Sequence, residues 1–518
     1  MPTGGKTEFH RRQVLQAGVA SIAGAAVAPT LVAAAQPVRV QKWDQEFDVI
    51  IVGFGVSGGA AAHEAVRAGV SVLVLDRASA AANESHGGVF YLGGGTKLKQ
   101  QLGVKDTPED MAKFLTALYQ PAPAEDKIRA YCERSPEHYD WLAEVGLPFG
   151  GRLSNDSWPS DTLVRTEPGG LFFSSEERSY PFREIVRPAQ RGHMAATGSS
   201  LNGGKVLQKL LLDATRKSGA TQLLAADAQR LAIGADGRVD GVLAQVDGVV
   251  KSFRARRGVI LATGGFANNR DMVALYTPQF LDNTPIDVGA NDGWGHRAAL
   301  AGGAVLERMD GAVAYFNLYP PLSRKDGILV NAQGQRFVYE DAYYGHIGTT
   351  IVRTQRGIAH LILDAPALNG IQPDRGRFKG DSVAAQANTI AEIERAIGIP
   401  EPALQRTVEI YNHYAAKGED PFFHKEKLHV RPLDQPPFTA LKASVKDVYF
   451  PFFTLGGLST NARAEVLNGD GNPISGLYAA GRVAAGISTP FYHSTGLSLG
   501  EGTFFGRVAG LAAAANSG

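Results

Sequence analysis

The sequence predicts an α/β protein built on a Rossmann-like dinucleotide-binding domain that is interrupted by an inserted domain and completed by the C-terminus. Three stretches predict it. Residues 47–76, FDVIIVGFGVSGGAAAHEAVRAGVSVLVLD, read as strand, glycine turn, helix and second strand closed by an acid. GVILATGGF at 258–266 is another apolar strand, running into Thr263, Gly264 and Gly265. AEVLNGDGNPISGLYAAGR at 464–482 restores the pattern after a long stretch of different texture, with a turn at Asn468–Asn472 and a strand ending at Gly481.

Within the first stretch, Phe47–Val52 is a buried-strand run and Val70–Leu75 the next strand, with Asp76 at its tip. Gly53, Gly55 and Gly58 form GxGxxG at the mouth of the intervening helix. Such glycines have separate tasks: a tight turn, close approach of backbone to a pyrophosphate, and packing of helix on strand. The helix start adds free N–H groups and a positive dipole end. Asp76 is placed to hydrogen-bond a ribose hydroxyl.

Apolar residues at three- and four-residue spacing predict helices over 110–119, 127–145 and 206–218. Strand-like runs broken by turns at 234–237 and 247–248 fill 223–265. From 283 to 436 turns become frequent. There TIAEIERAIGI is amphipathic, and Glu401–Lys417 is a helix with Leu404, Val408, Tyr411 and Ala415 along one face. A final helix rich in alanine and glycine starts near Ser498. The division that follows is 44–282 and 437–518 for the two parts of the dinucleotide domain and 283–436 for the insertion, with a cleft between them as the default site.

Ahead of these lies a leader-like segment, 1–35. Arg11 and Arg12 precede the apolar run Val14–Val32, and Ala33, Ala34 and Ala35 offer a small-residue cleavage site. This describes an export signal of the twin-arginine type and a periplasmic destination for a chain exported folded with its cofactor loaded. The alternative is a membrane-anchoring or unstructured N-terminus, although glycines and Pro29 break the run. A net charge of +1 over 518 residues, without a basic tract, points away from nucleic acid. The single cysteine, Cys132, cannot ligate an iron–sulfur cluster or anchor a CxxCH haem. No metal-ligand cluster stands out among the 12 histidines, so no metal is expected. Electrons handled here need an external acceptor or donor.

With these motifs in order, the chain resembles the fumarate reductase/succinate dehydrogenase flavoprotein superfamily over nearly all of its length after the leader. The resemblance rests on GFGVSG with Asp76, HGGVFYLGGGT (86–96), LATGGF (261–266), ILVNAQGQRFVYE (328–340), TLGGLSTNARAEVLN (454–468) and GLYAAGR (476–482). It implies that the dinucleotide is FAD, in a GR2-type FAD-binding domain, and that the insertion is an α+β capping domain over the flavin. It also implies cofactor contacts from Gly53, Gly55, Ser57, Gly58, Asp76 and Arg77, from the Gly87–Gly88 turn, and from Ala228, Thr263 and Gly264. Gly481, Arg482 and the amides of Leu497, Ser498 and Leu499 complete the set. Arg482 departs from the glutamate that many relatives carry there. His86 directly precedes the glycine pair rather than lying several residues earlier, so the flavin is expected to be non-covalent.

Other departures bear on the substrate. Where fumarate reductases carry a proton-donating arginine after RFVNE, this chain has Asp341, Ala342, Tyr343, Tyr344 and Gly345 after RFVYE. Phe452 and Phe453 replace a histidine before the MGG-like motif, and GLSLG (496–500) replaces a clamping arginine. A dicarboxylate buried without these cations would lack compensation costing several kcal/mol per ion, so an apolar substrate is expected. FYHSTGLSLGEGTFFGR (491–507) instead resembles the 3-ketosteroid dehydrogenase branch. Tyr492 and Gly496 match the Tyr-x-x-x-Gly of the Δ1 group, whereas Tyr492 and Ser494 match the Tyr-x-Ser of the Δ4-(5α) group. The tyrosine that Δ1 enzymes carry ahead of PGG is missing before Pro168–Gly170, which favours a Δ4-type reaction.

The resemblance therefore implies oxidation of a carbon–carbon bond next to a ring ketone. Tyr492 and the Gly496 amide would polarise the ketone, while Ser494, or Tyr343/Tyr344 paired with Ser494, would relay the α-proton. The register between Tyr343 and Tyr344 stays open; counting from the glutamate gives Tyr344. A quinone or cytochrome would accept the electrons. The alternative runs in the opposite direction, as an enoate or enone reductase.

Overall fold

The structure, a computed structural model, describes residues 37–78, 87–121, 123–157, 169–198, 202–286, 289–316, 322–368 and 383–517. The expected leader at 1–35, His86 and Pro168 lie outside the described residues.

An eight-stranded sheet carries the fold. Its centre is β1 (Gln45–Val52), followed by α1 (Val56–Arg67) and β2 (Val72–Asp76). After α2 (Gly203–Lys217) come β3 (Thr221–Leu224), β4 (Asp227–Ile233), β5 (Val239–Val246) and β6 (Val249–Leu261). β2 and β6 flank β1 in parallel, and β3 adds in parallel to β2. Val49, Ile50 and Ile51 are 0% exposed, because a central parallel strand is covered on both faces and so reads as an unbroken apolar run. β6 does two jobs along its 13 residues. Its polar first half pairs antiparallel with β5, and its apolar end enters the parallel core beside β1.

A separate four-stranded sheet interrupts this one. It comprises β7 (Ile328–Val330), β8 (His360–Leu363), β9 (Val383–Ala387) and β10 (Phe438–Lys442), in the order β7-β8-β10-β9. α3 (Tyr344–Thr354) connects β7 to β8. The chain then returns with β11 (Glu465–Leu467) and β12 (Pro473–Ala479), the latter parallel to β6, and ends in α4 (Leu497–Ala515). Just beyond the boundary expected at 436, β10 pairs with β8 and β9, not with the eight-stranded sheet. A short apolar run specifies a strand but not its hydrogen-bond partner.

The helix expected over 127–145 is two helices, Glu125–Glu133 and Ser135–Glu144. Pro136 explains the break, since it lacks an N–H and its ring clashes with the carbonyl four residues back. Among the described residues no helix is long and apolar enough to cross a membrane. α4 is buried over most of its length and packs against α1. Added Cβ atoms on Gly506 and Gly510 would meet Ser57 O at 2.3 Å and Ala61 O at 2.3 Å, so a glycine every fourth residue lets the two backbones touch.

Candidate active site

The three glycines of the turn sit in different surroundings. Gly53 has φ +97°, and a Cβ there would strike Ala262 O at 2.4 Å. A Cβ on Gly58 would strike Gly53 O at 2.0 Å, so this glycine sets the approach of α1 to the turn. At Gly55 a Cβ would meet nothing within 4 Å, so its backbone borders open space as a phosphate cradle requires. Asp76 already accepts two backbone N–H groups, from Phe54 at 2.6 Å and from Ala78 at 2.8 Å, and thereby braces the turn. Arg77 reaches away to Asp292, at 2.9 Å, and to the Ala290 carbonyl.

Of the remaining expected cofactor residues, Thr263 lies against the turn, its N 3.2 Å from where a Cβ on Gly53 would sit. Ser57 lies under Gly481, where a Cβ would meet its Oγ at 2.6 Å. Gly87 lies against Leu499, whose side chain is 3.3 Å from the position of a Cβ. Gly88 accepts from Ala195 N–H at 2.9 Å. Thr263 Oγ1 is buried without a partner, and Gly264 takes φ +75° beside Asn291. A pocket lined by Gly481, Arg482, Ser498, Glu501 and Gly502 runs along the start of α4. Ala228 is buried in β4, paired with Ala244. The open face at Gly55 and the orphaned Thr263 hydroxyl fit a dinucleotide held along this edge.

Above the start of α4 sits a group of tyrosines brought from three distant segments. Tyr343 and Tyr344, at the N-terminus of α3, have ring centroids 4.4 Å apart. Tyr492 is 6.2 Å from Tyr343. Tyr315, which carried no sequence motif, packs 4.8 Å from Tyr344 and 6.4 Å from Tyr492. Phe453 closes the group 5.3 Å from Tyr492, and the Arg482 guanidinium lies over the Phe453 ring. Phe452 does not line this site. It stacks on Phe280, because adjacent residues of the strand Pro451–Thr454 face opposite ways.

The hydroxyl network corrects one expected pairing. Thr495, not Ser494, meets the α3 tyrosines: its Oγ1 is 2.9 Å from the Tyr344 hydroxyl and donates to the Tyr343 hydroxyl at 3.1 Å. Ser494 is fully buried, and its Oγ lies 2.8 Å from that of Ser175, which donates to the His493 carbonyl. Adjacent residues of this segment again point opposite ways. Gly496 caps α4 at φ +94°, where a Cβ would meet Val89 O at 2.8 Å. Ser498 N–H donates to the Tyr492 oxygen at 3.3 Å, tying that tyrosine to the helix start. Burial pushes the Tyr315, Tyr343 and Tyr492 hydroxyls above the usual tyrosine range, so all three are neutral near pH 7.

Below the tyrosines Glu176, fully buried, accepts from three groups. Its Oε1 takes the Tyr343 N–H and His346 Nδ1, each at 3.0 Å, and its Oε2 takes the Tyr339 hydroxyl at 3.1 Å. Burial alone would raise this carboxyl; the His346 hydrogen bond and the nearby histidines outweigh it and hold it below the usual range. His493 stacks on His346 with centroids 4.6 Å apart and planes 11° apart. Their ring atoms and Glu176 are close enough to gather round an ion. However, an ion bound in-plane by two imidazoles must lie in both ring planes, and these planes are nearly parallel. The cluster is a hydrogen-bonded hub.

Fold and site together define an FAD-dependent oxidoreductase acting on CH–CH groups. A family model described as FAD binding domain matches residues 48–499. The 3-ketosteroid-Δ4-(5α)-dehydrogenase of Rhodococcus jostii RHA1, solved with 4-androstene-3,17-dione, is 38% identical, with 92% of this chain and 99% of that one covered at a TM-score of 0.84. The 3-oxosteroid 1-dehydrogenase of Mycolicibacterium smegmatis is 28% identical, covering 91% of this chain and 98% of the relative. A 4-oxocyclohexanecarboxylate 2-dehydrogenase of Sinomonas cyclohexanicum is 26% identical, with 90% and 92% covered. The chain belongs to the FAD binding domain family, in the 3-ketosteroid dehydrogenase branch of the fumarate reductase/succinate dehydrogenase flavoproteins.

Proposed function

We propose that the chain desaturates the carbon–carbon bond next to the ketone of a 3-ketosteroid, in a Δ4-type reaction. The observation that carries this reading is the convergence of Tyr343, Tyr344 and Tyr492 on Thr495 and the start of α4, at the place where a dicarboxylate enzyme needs cations. The ring-ketone dehydrogenases among the relatives support it.

The Tyr492 oxygen accepts from Ser498 N–H, which leaves its own hydrogen free to donate to a ketone oxygen beside the Gly496 N–H. Two preorganised donors stabilise the developing enolate and acidify the α-carbon. Thr495 has one hydroxyl hydrogen. Given to Tyr343, it leaves Thr495 an acceptor for the Tyr344 hydroxyl. The α-proton then passes to Tyr344 as Tyr344 hands its own to Thr495, Thr495 hands one to Tyr343, and Tyr343 hands its own on to solvent, so that every hydroxyl ends neutral and one proton leaves the site. A relay of this kind suits neutral hydroxyls, since no tyrosinate has to form first. FAD bound along the glycine turn supplies the hydride acceptor, its N5. The leader at 1–35 supports export to the periplasm by the twin-arginine route, with a quinone or cytochrome as final acceptor.

Anaerobic mixing of the oxidised holoenzyme with a 5α-reduced 3-ketosteroid tests the reading. Rapid flavin bleaching with formation of the Δ4 product supports it. Bleaching by none of a panel of saturated steroid ketones, with the photoreduced enzyme reoxidised by fumarate-like acids alone, overturns it. Cell fractionation tests the location.

A further inference from the structure

The tyrosines on α3 and the Tyr492–Gly496 segment come from distant parts of the chain, and one short stretch touches both: Ser174-Ser175-Glu176. The Ser174 carbonyl accepts from Thr495 N–H at 2.7 Å. Ser175 Oγ holds Ser494 Oγ at 2.8 Å and the His493 carbonyl at 2.5 Å. Glu176 takes the Tyr343 N–H and His346 Nδ1 on one oxygen, each at 3.0 Å. Tyr343 is the N-cap of α3 and offers no side-chain cap of its own. His346 is the third residue of that helix. In a capping box an N3 glutamate accepts the N-cap N–H; here the N3 residue is a histidine, and Glu176 from another segment accepts in its place. Its charge also sits at the positive end of the helix.

We infer that Glu176 is a positioning residue: through the Tyr343 N–H and His346 it fixes the first turn of α3, and with Ser175 on Ser494 it sets the spacing between Tyr344 and Thr495. The inference rests on the proposed relay. Without Glu176, the Tyr344 and Thr495 hydroxyls, held by different segments, lose the common strap that keeps them at 2.9 Å. A displacement of about 1 Å at such a contact costs on the order of 100-fold in rate.

The test is a double-mutant cycle on the flavin-loaded protein, with kcat and KM for a 5α-reduced 3-ketosteroid expressed per bound flavin. Glu176→Gln should lower kcat about 10- to 100-fold with KM changed less than about threefold. In a Tyr344→Phe background the same change should have almost no further effect, because the contact it positions is already gone. Multiplicative losses in the cycle, or an unchanged kcat in Glu176→Gln, overturn the inference while leaving the relay intact. An unchanged kcat in Tyr344→Phe alone overturns the relay itself. Should Glu176→Gln fail to fold or hold flavin, Ser175→Ala, which removes no charge, runs the same cycle against Ser494→Ala. There non-additive losses support the strap and multiplicative losses reject it.

Discussion

The hydroxyl oxygens of Tyr344 and Thr495 lie 2.9 Å apart, although 151 positions separate the two residues in the chain. In the proposed relay this contact puts Tyr344 ahead of Tyr343, in line with the count from the glutamate, because Thr495 donates its one hydrogen to Tyr343 and so receives from Tyr344. Thr495→Val removes the hydroxyl at nearly constant volume and should lower kcat about 10- to 100-fold, with Thr495→Ser keeping most of the rate. Tyr344→Phe should cost more than Tyr343→Phe, since the first takes the α-proton and the second only receives it further along. Steady-state kinetics on the four variants check both orderings, and equal losses for the two tyrosine variants would remove the assigned direction.

Tyr492 has a different part, and its kinetic signature differs accordingly. In the proposed mechanism it donates to the developing enolate and so acts mainly in the transition state, and Tyr492→Phe should reduce kcat and kcat/KM together by about 100- to 1000-fold. Burial pushes its hydroxyl up. The group therefore stays protonated through neutral and mildly alkaline pH, and the rate it supports should not fall between about pH 6 and 9 for want of its proton. A pH profile of kcat/KM for the wild type, compared with that of Tyr492→Phe, reads this behaviour. A loss with an apparent pKa near 8 there would show that the phenol ionises.

Much of this site was legible in the sequence, for identifiable reasons. Gly53, Gly58 and Asp76 were readable because their roles are local: a positive φ, a forbidden Cβ and a strand-end acid each follow from neighbours within about one βα unit. Tyr492, Ser494 and Gly496 were readable as a spaced motif. Thr495, Tyr315, Ser175 and Glu176 were not. Their chemistry comes from contacts across the fold, and a threonine inside a motif looks like filler until its side chain is seen to point opposite to Ser494. The same limit applies to β10, whose apolar run fixed its conformation but not its partner strands. Apolar periodicity runs across Pro136, so the pattern alone joins the two helices that this proline separates.

Two glycines of the same motif should separate binding from folding. A side chain at Gly55 meets open space, whereas one at Gly58 meets the Gly53 carbonyl at 2.0 Å. Gly55→Val should therefore leave a folded protein that has lost FAD affinity, because the side chain fills the space the phosphates need. Gly58→Val should lower the apparent melting temperature of the flavin-free protein as well. Flavin titration by fluorescence quenching, alongside thermal denaturation of the stripped protein, distinguishes them. Equal destabilisation by both would show that Gly55 faces protein rather than cofactor.

The platform beneath Gly496 depends on a buried charge cluster with a pH signature of its own. Gly496 docks on the strand Val89–Tyr91, its carbonyl accepting from Tyr91 N–H at 3.0 Å, and that strand pairs with Gly192–Met194. Arg191, at the head of the second strand, binds Asp106 at 2.7 Å, and Lys99 binds the same carboxylate; all three side chains are 0% exposed. Burial alone would raise Asp106, but Lys99 and Arg191 hold it well below the usual carboxylate range. Its pKa is thus lower folded than unfolded, so its contribution to stability is present above the unfolded value near 4 and is lost as pH falls towards the folded one. Asp106→Asn strands two buried cations and should cost about 3–5 kcal/mol at pH 7. Below about pH 4 the gap from the wild type should narrow, because the wild-type carboxylate progressively loses its advantage there. Denaturant melts at about pH 7 and pH 3.5 measure both quantities. A gap that stays constant across that range would mean that Asp106 supports the platform through packing rather than charge.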